Sequence, residues 1–235
     1  MASAEGRSTK MDTFAWVAII AMVLGLALAW LRLVPPLLGF GLYALGGLAA
    51  IVAAVSALVS SARRRGFGMG RGIALLVAMI FIVTAAPGFG VPAINDFTTD
   101  PADPPQFEHA LTLPRNQGRD MSYPASFAET QRACCSDLVP ARLSASPAQA
   151  FERTRVVAEQ MPTWQITAVD PQRGIVEAVS TSRVFGFEDD VVVRVRPDQT
   201  GSRVDVRSKS RDGRGDQGVN AARIRDYLGA LGRAG

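Results

Sequence analysis

Hydrophobic positions are concentrated in the first 94 residues of the chain. Three runs there carry no charged residue, namely Thr13–Leu31, Leu37–Ala62 and Gly72–Ile94. Each run covers the roughly 20 apolar residues that cross the hydrocarbon core of a bilayer as a helix. Three such runs in succession, separated by short links, favour membrane spans over the buried helices of a soluble core. We therefore predict a membrane domain, residues 1–94, with three transmembrane helices.

The first apolar run also has features of an export signal. Arg7 and Lys10 precede it, and Ala27–Ala29 resembles a small-residue cleavage site. Bulky Trp30 and Leu31 follow at once, and two further apolar runs come later in the chain. We therefore favour an uncleaved anchor and keep a cleaved signal as the alternative.

The distribution of basic residues predicts the orientation, because cytoplasmic loops of membrane proteins carry an excess of Lys and Arg. The link between the first two runs holds only Arg32. The N-terminus and the link between the second and third runs are richer, with Arg7, Lys10, Arg63, Arg64, Arg65 and Arg71. We therefore predict a bacterial inner-membrane protein with a cytoplasmic N-terminus and a periplasmic C-terminal domain.

After the apolar runs the pattern changes twice. Residues 95–133 are rich in proline and polar groups, and they show no sustained period of 2 or 3.6, so we predict a partly extended linker. Residues 134–235 are long enough for one small domain with its own core. "LVPARLSAS" indicates a first strand, and Ser146 with Gln149 forms the capping box that starts a helix.

Alternation of apolar and polar residues predicts four more strands. They are "WQITAV", "IVEAVSTSRV", "DVVVRVRP" and "RVDVRSKS", and the first places Trp164, Ile166 and Ala168 on one face. A second amphipathic helix follows near Ile224 and Leu231, capped by Asp216 or Asn220. The predicted fold class is α+β, an antiparallel sheet with two helices on one face in the order β-α-β-β-β-β-α.

The last predicted hairpin has a register that its own residues specify. With Arg196 opposite Arg203, Val195 faces Val204 and Val193 faces Val206 on the core side. The same register pairs Arg194 with Asp205 and Asp190 with Lys209 on the other, exposed side. Valine burial and opposite charges across the strands therefore predict one register.

The overall charge does not indicate a nucleic-acid partner. The sequence has an isoelectric point near 9.6. Its net charge divides into +5 for residues 1–94, −3 for 95–133 and +2 for 134–235. The excess lies beside the apolar runs, and no basic stripe with interleaved aromatic residues is present in the sequence.

Three segments of the chain resemble a known family. "INDFTTDPADPPQF", "SRVFGFEDDVVVRVRP" and "SRVDVRSKSRDGRGDQGVNAARI" are similar, in the same order, to segments of the domain of unknown function 1499 family. The resemblance covers about Ile94 to Leu231 and implies a membrane-anchored proteobacterial envelope protein. It implies no reaction, and the adjacent Cys134 and Cys135 depart from the expected pattern.

The residues capable of catalysis or metal binding are few. His109 is the single histidine and lies in the predicted linker. Cys134 and Cys135 lack the two-residue spacing of a redox pair or zinc knuckle, and they could form a vicinal disulfide, pair between chains or remain buried thiols. The acids Glu188, Asp189 and Asp190 are more typical of a solvated turn than of a metal site. We predict no cofactor and no metal.

Two clusters are candidates for ligand binding. Arg183 beside Phe185 and Phe187 is a pattern that anchors an anionic group or stacks within the protein. The glycine-rich stretch "SKSRDGRGDQGVN" comes directly before a predicted helix. Backbone amides at a helix start, together with nearby arginines, can hold a phosphate or carboxylate. The predicted ligand-binding residues are Arg183, Phe185, Phe187, Arg207, Arg211, Asp216 and Asn220.

These observations predict a non-enzymatic membrane protein whose periplasmic domain binds an envelope partner, which is a protein, an anionic lipid or a glycan. One alternative is a metal-assisted hydrolase that uses Glu188, Asp189, Asp190 or Asp216. Another is a structural assembly factor that acts through its membrane helices. The sequence leaves the oligomeric state open.

Overall fold

The protein is described here by a computed structural model, which covers residues 2–62, 69–85 and 90–234. The chain divides into two compact units. The helical unit comprises Met1–Phe89 together with the short loop Arg183–Gly186. The sheet unit comprises Gly90–Ser182 and Phe187–Gly235.

The helical unit contains helices α1 (Ala2–Trp30), α2 (Pro36–Ala62) and α3 (Met69–Ala85). By length and composition, Thr13–Trp30 of α1 and Pro36–Val59 of α2 can cross a membrane. The third apolar helical segment, Gly72–Ala85, is shorter. The end of the third predicted span (residues 86–89) and the basic residues 63–65 lie outside the described residues.

Small residues bring the helices of this unit together. A Cβ atom built on Gly25 of α1 would lie 2.8 Å from the carbonyl oxygen of Gly39 of α2, so the two backbones meet without side chains between them. Buried alanines continue the contact towards α3, namely Ala18, Ala50, Ala54 and Ala78. Close approach of this kind is how helices associate where the surroundings are apolar.

The sheet unit is an antiparallel sheet with helices packed on it. Its strands follow the order β1-β6-β5-β4-β3, and β2 also pairs with β6. Its elements are β1 (Asp96–Thr98), α4 (His109–Thr112), a 3-10 turn (Pro114–Asn116), α5 (Ala125–Cys134), β2 (Ala141–Leu143), α6 (Pro147–Gln160), β3 (Trp164–Asp170), β4 (Ile175–Thr181), β5 (Glu188–Asp198), β6 (Gly201–Ser210) and α7 (Val219–Arg233). The predicted α+β class and the predicted order from β2 to α7 are confirmed.

Local sequence explains where α6 and α7 begin. Ser146 and Gln149 form the predicted capping box of α6, which satisfies amides that the first turn leaves unpaired. Ahead of α7, the Asp216 carboxylate accepts hydrogen bonds from the N–H groups of Gly218 and Asn220. Asn220 itself lies inside α7 and is buried, and the N-cap position is Gly218. The side chain that caps the helix is therefore Asp216, two residues before the N-cap. Both helices contribute to the main core, with Phe151, Val157, Ile224 and Leu231 buried.

The predicted register of the last hairpin is confirmed at every position named. Val195 pairs with Val204, and Arg194 pairs with Asp205. The prediction that the charged face is exposed was wrong, because Asp190 and Asp205 are fully buried. The reason is that residues of the predicted linker cover this face of the sheet.

Residues 95–133 are therefore part of the sheet unit and not a linker. Phe97 of β1 is fully buried in the main core, and Phe107 and Met121 form a second apolar cluster with Val192 on the other face. Proline-rich sequence without a period gave no signal of this, because the segment packs through isolated side chains and has little regular structure of its own. We call residues 99–123 the strap.

A bulge in β3 changes one predicted face. Ile166 pairs with Ala178, but the next paired residue of β3 is Ala168, opposite Glu177. The extra residue, Thr167, reverses the alternation beyond it, so Ala168 does not share the face of Ile166 as predicted.

The two adjacent cysteines lie at the end of α5, where Cys134 is the last helical residue. Cys134 and Cys135 are joined in a vicinal disulfide, which was one of the three states that the sequence left open. Cys135 is buried in the main core.

Candidate binding surfaces

The predicted ligand-binding residue Arg207 lies in the interior of the sheet unit. Its side chain is 0% exposed, and its guanidinium donates to both carboxylate oxygens of Asp96, at 2.9 and 2.8 Å. It also donates to the carbonyl oxygens of Pro105 and Met121 and lies over the ring of Phe107. Arg207 therefore binds the strap to the sheet, and its donors are directed at the protein itself.

Arg211 also pairs with carboxylates of its own domain. Its guanidinium bonds to Asp190 at 2.6 Å and to Glu188. Burial lowers the pKa of Arg211, but the two carboxylates outweigh this and raise it above its ordinary value. Arg119, on the strap, lies 3.8 Å from the same Asp190. The prediction that these acids lie in a solvated turn was wrong, because they begin β5 and Asp190 is fully buried. They serve as partners for arginines from two segments.

The third acid of the run lies on the opposite face of the sheet from Asp190. Asp189 is buried and accepts a hydrogen bond from Arg223 of α7 at 2.6 Å. Asp189 is therefore paired with Arg223, whereas Glu188 and Asp190 share Arg211. Among the described residues, no group of three or more His, Cys, Asp or Glu is placed to hold a metal ion.

The glycine-rich segment before α7 has its backbone N–H groups bonded to the side chain of Asp216. The Asp216 carboxylate accepts hydrogen bonds from the N–H groups of Gly218, at 2.9 Å, and Asn220, at 2.7 Å. Burial raises the pKa of Asp216, and these hydrogen bonds act in the opposite direction. The Asn220 side chain bonds to Ser208 and Ser210 of β6. The anion site predicted at this helix start therefore already contains a carboxylate.

The loop Arg183–Gly186 is bound to the helical unit. The Arg32 guanidinium donates to the carbonyl oxygens of Arg183 at 3.2 Å and Val184 at 3.0 Å. The Phe185 ring packs against Phe40 and Tyr43 with centroid distances of 5.3 and 5.4 Å. Phe187 belongs to the sheet unit, where its N–H bonds to Ser182. The predicted cluster of Arg183, Phe185 and Phe187 is thus divided between the two units.

The predicted binding residues accordingly occupy several places. Asp216 and Asn220 are in direct contact through the capping hydrogen bond. Arg207 lies under the strap, Arg211 bonds to the acids at the start of β5, and Arg183 lies in the loop of the helical unit.

Two important side chains were missed by the sequence reasoning. Glu177 of β4 is 1% exposed, and its carboxylate accepts the N–H groups of Glu108, His109 and Ala110. An acid in the middle of the apolar stretch "IVEAV" was a signal that could have indicated a buried partner. This contact also places His109 at the start of α4, where its own side chain is exposed.

The second missed residue is Gln131 of α5, which lies beside the edge strand β1. Its side-chain oxygen accepts the N–H of Thr98 at 3.0 Å, and its amide nitrogen donates to the carbonyl oxygen of Thr98 at 2.6 Å. The side-chain amide of Gln131 thus makes the two hydrogen bonds that a neighbouring strand would otherwise make with Thr98. No local sequence pattern indicates this contact.

The opposite edge of the sheet is β3, and it differs from the β1 edge. In the described part of the chain β3 pairs with β4 alone. Every residue of β3 is at least partly exposed, whereas the five central residues of β4 are buried. From Trp164 to Val169 the edge has no charged residue and no proline. An exposed neutral edge presents backbone N–H and C=O groups that another strand can pair with.

Comparison with protein families gives one match. A family described as "Protein of unknown function (DUF1499)" matches residues 96–231, more than half of the chain. The chain belongs to the DUF1499 family. The match begins at β1 and ends in α7, so the DUF1499 domain includes the strap and nearly all of the sheet unit. A comparison with curated proteins found no match.

Proposed function

We propose that this DUF1499 protein is an inner-membrane protein with three transmembrane helices, a cytoplasmic N-terminus and a periplasmic domain that binds an extended polypeptide of the cell envelope. The open β3 edge is the observation that carries the proposal. A polypeptide strand offers alternating donors and acceptors at the spacing that such an edge requires, and addition of a strand to an exposed edge is a common mode of peptide recognition.

The contrast between the two edges supports this choice of partner. Natural proteins close exposed edges with charges, prolines, bulges or covering segments. At β1 the side chain of Gln131 forms hydrogen bonds with both the N–H and the C=O group of Thr98. At β3 the bulge at Thr167 interrupts the edge, which leaves a regular part on each side of it, residues 164–166 and 168–170. A partner strand would pair there.

Charge pairing on the strap face is the reason for preferring a polypeptide to a glycan or an anionic ligand on the sheet. The arginines of the last hairpin surround one buried carboxylate, with Asp205 accepting from Arg196 at 2.9 Å and from Arg203 at 2.8 Å. Arg194 bonds to the same carboxylate and to Asp103 of the strap. These cations are bound to acids of the protein, so this face offers a neutral surface.

Two other functions compete with this proposal. A metal-assisted hydrolase would have to use Glu188, Asp189 or Asp190, which are paired with arginines, or Asp216, which accepts two backbone N–H groups. It therefore requires those contacts to open on metal binding. An assembly factor acting through its helices alone would not need the β3 edge. Both therefore predict that changes at this edge have no effect.

Site-specific photo-crosslinking in cells tests the proposal. A photoreactive amino acid at Gln165, an exposed residue of β3, is expected to give one discrete adduct with an envelope polypeptide. Val169→Lys places a charge on the same edge, and it should abolish the adduct. The matched control is a photoreactive residue at Glu152, on the exposed side of α6.

The pattern of adducts decides among the possibilities. An adduct at position 165 that Val169→Lys leaves unchanged would contradict strand addition. Equal labelling at positions 165 and 152 would do the same. An adduct with the mass of two copies of this chain would identify a second copy as the polypeptide that pairs with β3.

A further inference from the structure

The side chain of Arg183 differs from most arginines in the described part of the chain. It is exposed, and within the described residues its guanidinium has no hydrogen bond or ion pair. Its backbone is nevertheless fixed, because Arg32 donates to its carbonyl oxygen at 3.2 Å. An arginine with a held backbone and an open guanidinium can bind a planar or tetrahedral anion with little further loss of freedom.

Exposed apolar residues flank the link that holds the Arg183 loop. Arg32, which holds the loop, lies in the short link between α1 and α2. The neighbouring residues Trp30, Leu31 and Leu33 are 66, 54 and 66% exposed, and Val184 is 40% exposed. Exposed apolar side chains at the end of apolar helices are suited to the interface of a bilayer, where tryptophan is enriched.

A second contact fixes the loop at the helix ends. Phe185 packs edge-on against Phe40, and Tyr43 lies between Phe185 and Phe81 of α3. Gly186 has a φ of +74° and lies so close to Arg32 that a Cβ atom there would overlap the guanidinium. The loop is therefore fitted to this end of the helical unit, and Arg183 is carried with it.

We infer that the loop Arg183–Gly186 is a membrane-interface contact in which Arg183 binds the phosphate of an anionic phospholipid headgroup. The inference rests on the proposed membrane anchoring of α1 and α2. The helices place the loop at the end of the apolar segment Thr13–Trp30, where headgroups lie if that segment spans a bilayer. Arginine binds phosphate through two parallel N–H donors, and Val184 and the residues around Trp30 contact the acyl region.

Tryptophan quenching by brominated lipids tests this inference on the full chain. The chain has three tryptophans, of which Trp30 is at the Arg183 end of α1 and Trp16 is about 20 Å away along the helix. The Trp16→Phe variant leaves Trp30 as the membrane reporter, and the Trp30→Phe variant leaves Trp16. Each is reconstituted in mixtures of brominated phosphatidylglycerol and brominated phosphatidylcholine, and Trp164 of the sheet unit gives a common background.

The expected result is a preference for phosphatidylglycerol at Trp30 that is absent at Trp16. Arg183→Ala should reduce this preference about fivefold, and Arg183→Lys should reduce it less, because the charge remains while the paired donors are lost. Arg132→Ala is the matched control, since Arg132 is exposed in α5 and also has no ion pair in the described residues. It should leave the preference unchanged.

The outcomes separate this inference from the proposed function. Equal quenching of Trp30 by both lipids, or an unchanged preference in Arg183→Ala, would overturn the lipid site and leave the membrane anchoring intact. If neither lipid quenched Trp30 or Trp16, the anchoring itself would be wrong. Loss of the preference with millimolar inorganic phosphate, but not with chloride at equal ionic strength, would overturn the lipid assignment in favour of free phosphate.

Discussion

Gln131 pairs with both backbone groups of Thr98, accepting its N–H at 3.0 Å and donating to its carbonyl oxygen at 2.6 Å. Both residues are buried. Gln131→Ala leaves these two backbone groups without partners, and an unsatisfied buried group costs about 1–3 kcal/mol. We therefore expect Gln131→Ala to lower the free energy of unfolding by about 3 kcal/mol.

Thermal and urea unfolding of the full chain in detergent would measure this change in the free energy of unfolding. Trp164 fluorescence reports the unfolding of the sheet unit when Trp16 and Trp30 are both replaced by Phe. Gln131→Glu keeps the acceptor but loses the donor, so it should also destabilise the sheet unit. Gln160→Ala, at an exposed glutamine of α6, is the control and should change stability by less than about 0.5 kcal/mol. A loss of the same size in Gln160→Ala and Gln131→Ala would contradict the assigned role.

The sequence predicted those elements whose signals are local or regular. The capping box at Ser146, the Asp216 cap and the register of Val195 with Val204 all follow from residues close in sequence or in one hairpin. The strap could not be predicted in this way. Its position depends on single long-range contacts, such as Asp96 with Arg207 and Glu177 with the start of α4, and neither has a periodic pattern.

The same limit applies to the binding residues. Arg207 and Arg211 belong to a basic, glycine-containing stretch that is typical of anion sites, and the sequence could not show that Asp96 and Asp190 would bind them. For Arg183 the sequence signal is its aromatic neighbours, Phe185 and Phe187. The structure keeps Phe185 with it in the helical unit but places Phe187 in the sheet unit.

The buried pair of Asp96 and Arg207 predicts a large loss of stability when one partner is removed. The side chains of both residues are 0% exposed, and Lys209 donates to the same carboxylate at 2.9 Å. Asp96→Ala leaves the Arg207 charge uncompensated in the interior, which costs about 3–5 kcal/mol. Urea unfolding followed by Trp164 fluorescence measures the loss of stability in Asp96→Ala.

The control for Asp96→Ala is Asp137→Ala. Asp137 pairs with Arg225 at 2.5 Å, but the side chains are 56 and 43% exposed, so this pair contributes at most about 1 kcal/mol. Comparable losses for the two variants would show that burial of Asp96 is unimportant. Proteolysis within the strap should increase in Asp96→Ala and remain unchanged in Asp137→Ala.

Asp216 gives the sheet unit a specific pH dependence. Burial raises its pKa above the ordinary 3.8, so the folded carboxyl holds its proton more tightly than the unfolded one. Its contribution to stability is therefore largest below pH 3.8 and is lost as the pH rises through the folded pKa. Asp216→Asn removes the titration and keeps one of the two oxygens that accept the Gly218 and Asn220 N–H groups.

Relative to Asp216→Asn, the parent protein should lose stability as the pH rises above about 3.8. Asp216→Ala, which removes the cap at every pH, should be less stable than Asp216→Asn by about 1 kcal/mol throughout. Urea unfolding in a series of buffers at constant ionic strength measures both differences. A difference between parent and Asp216→Asn that is the same at every pH would show that Asp216 does not titrate in this range.

Glu177 of β4 binds the middle of the strap to the sheet. Its carboxylate accepts the N–H groups of Glu108 at 2.8 Å, His109 at 2.9 Å and Ala110 at 2.8 Å. A helix of four residues such as α4 is not stable alone, because nucleation costs more than its few hydrogen bonds return. The carboxylate supplies the acceptors that the first turn of α4 needs, and it does so from the neighbouring sheet.

Glu177→Gln replaces one acceptor oxygen with an N–H₂ group that faces a backbone donor, and we expect a loss of about 2–3 kcal/mol. Amide exchange at Ala110 should accelerate, whereas exchange at Ala158 in α6 should not change beyond the effect of global stability. Glu152→Gln, at an exposed position of α6, is the matched control. Because Glu177 is the buried acceptor for α4, protection of Ala110 that survived in Glu177→Gln would mean that α4 is held by Phe107 and Met121 packing instead.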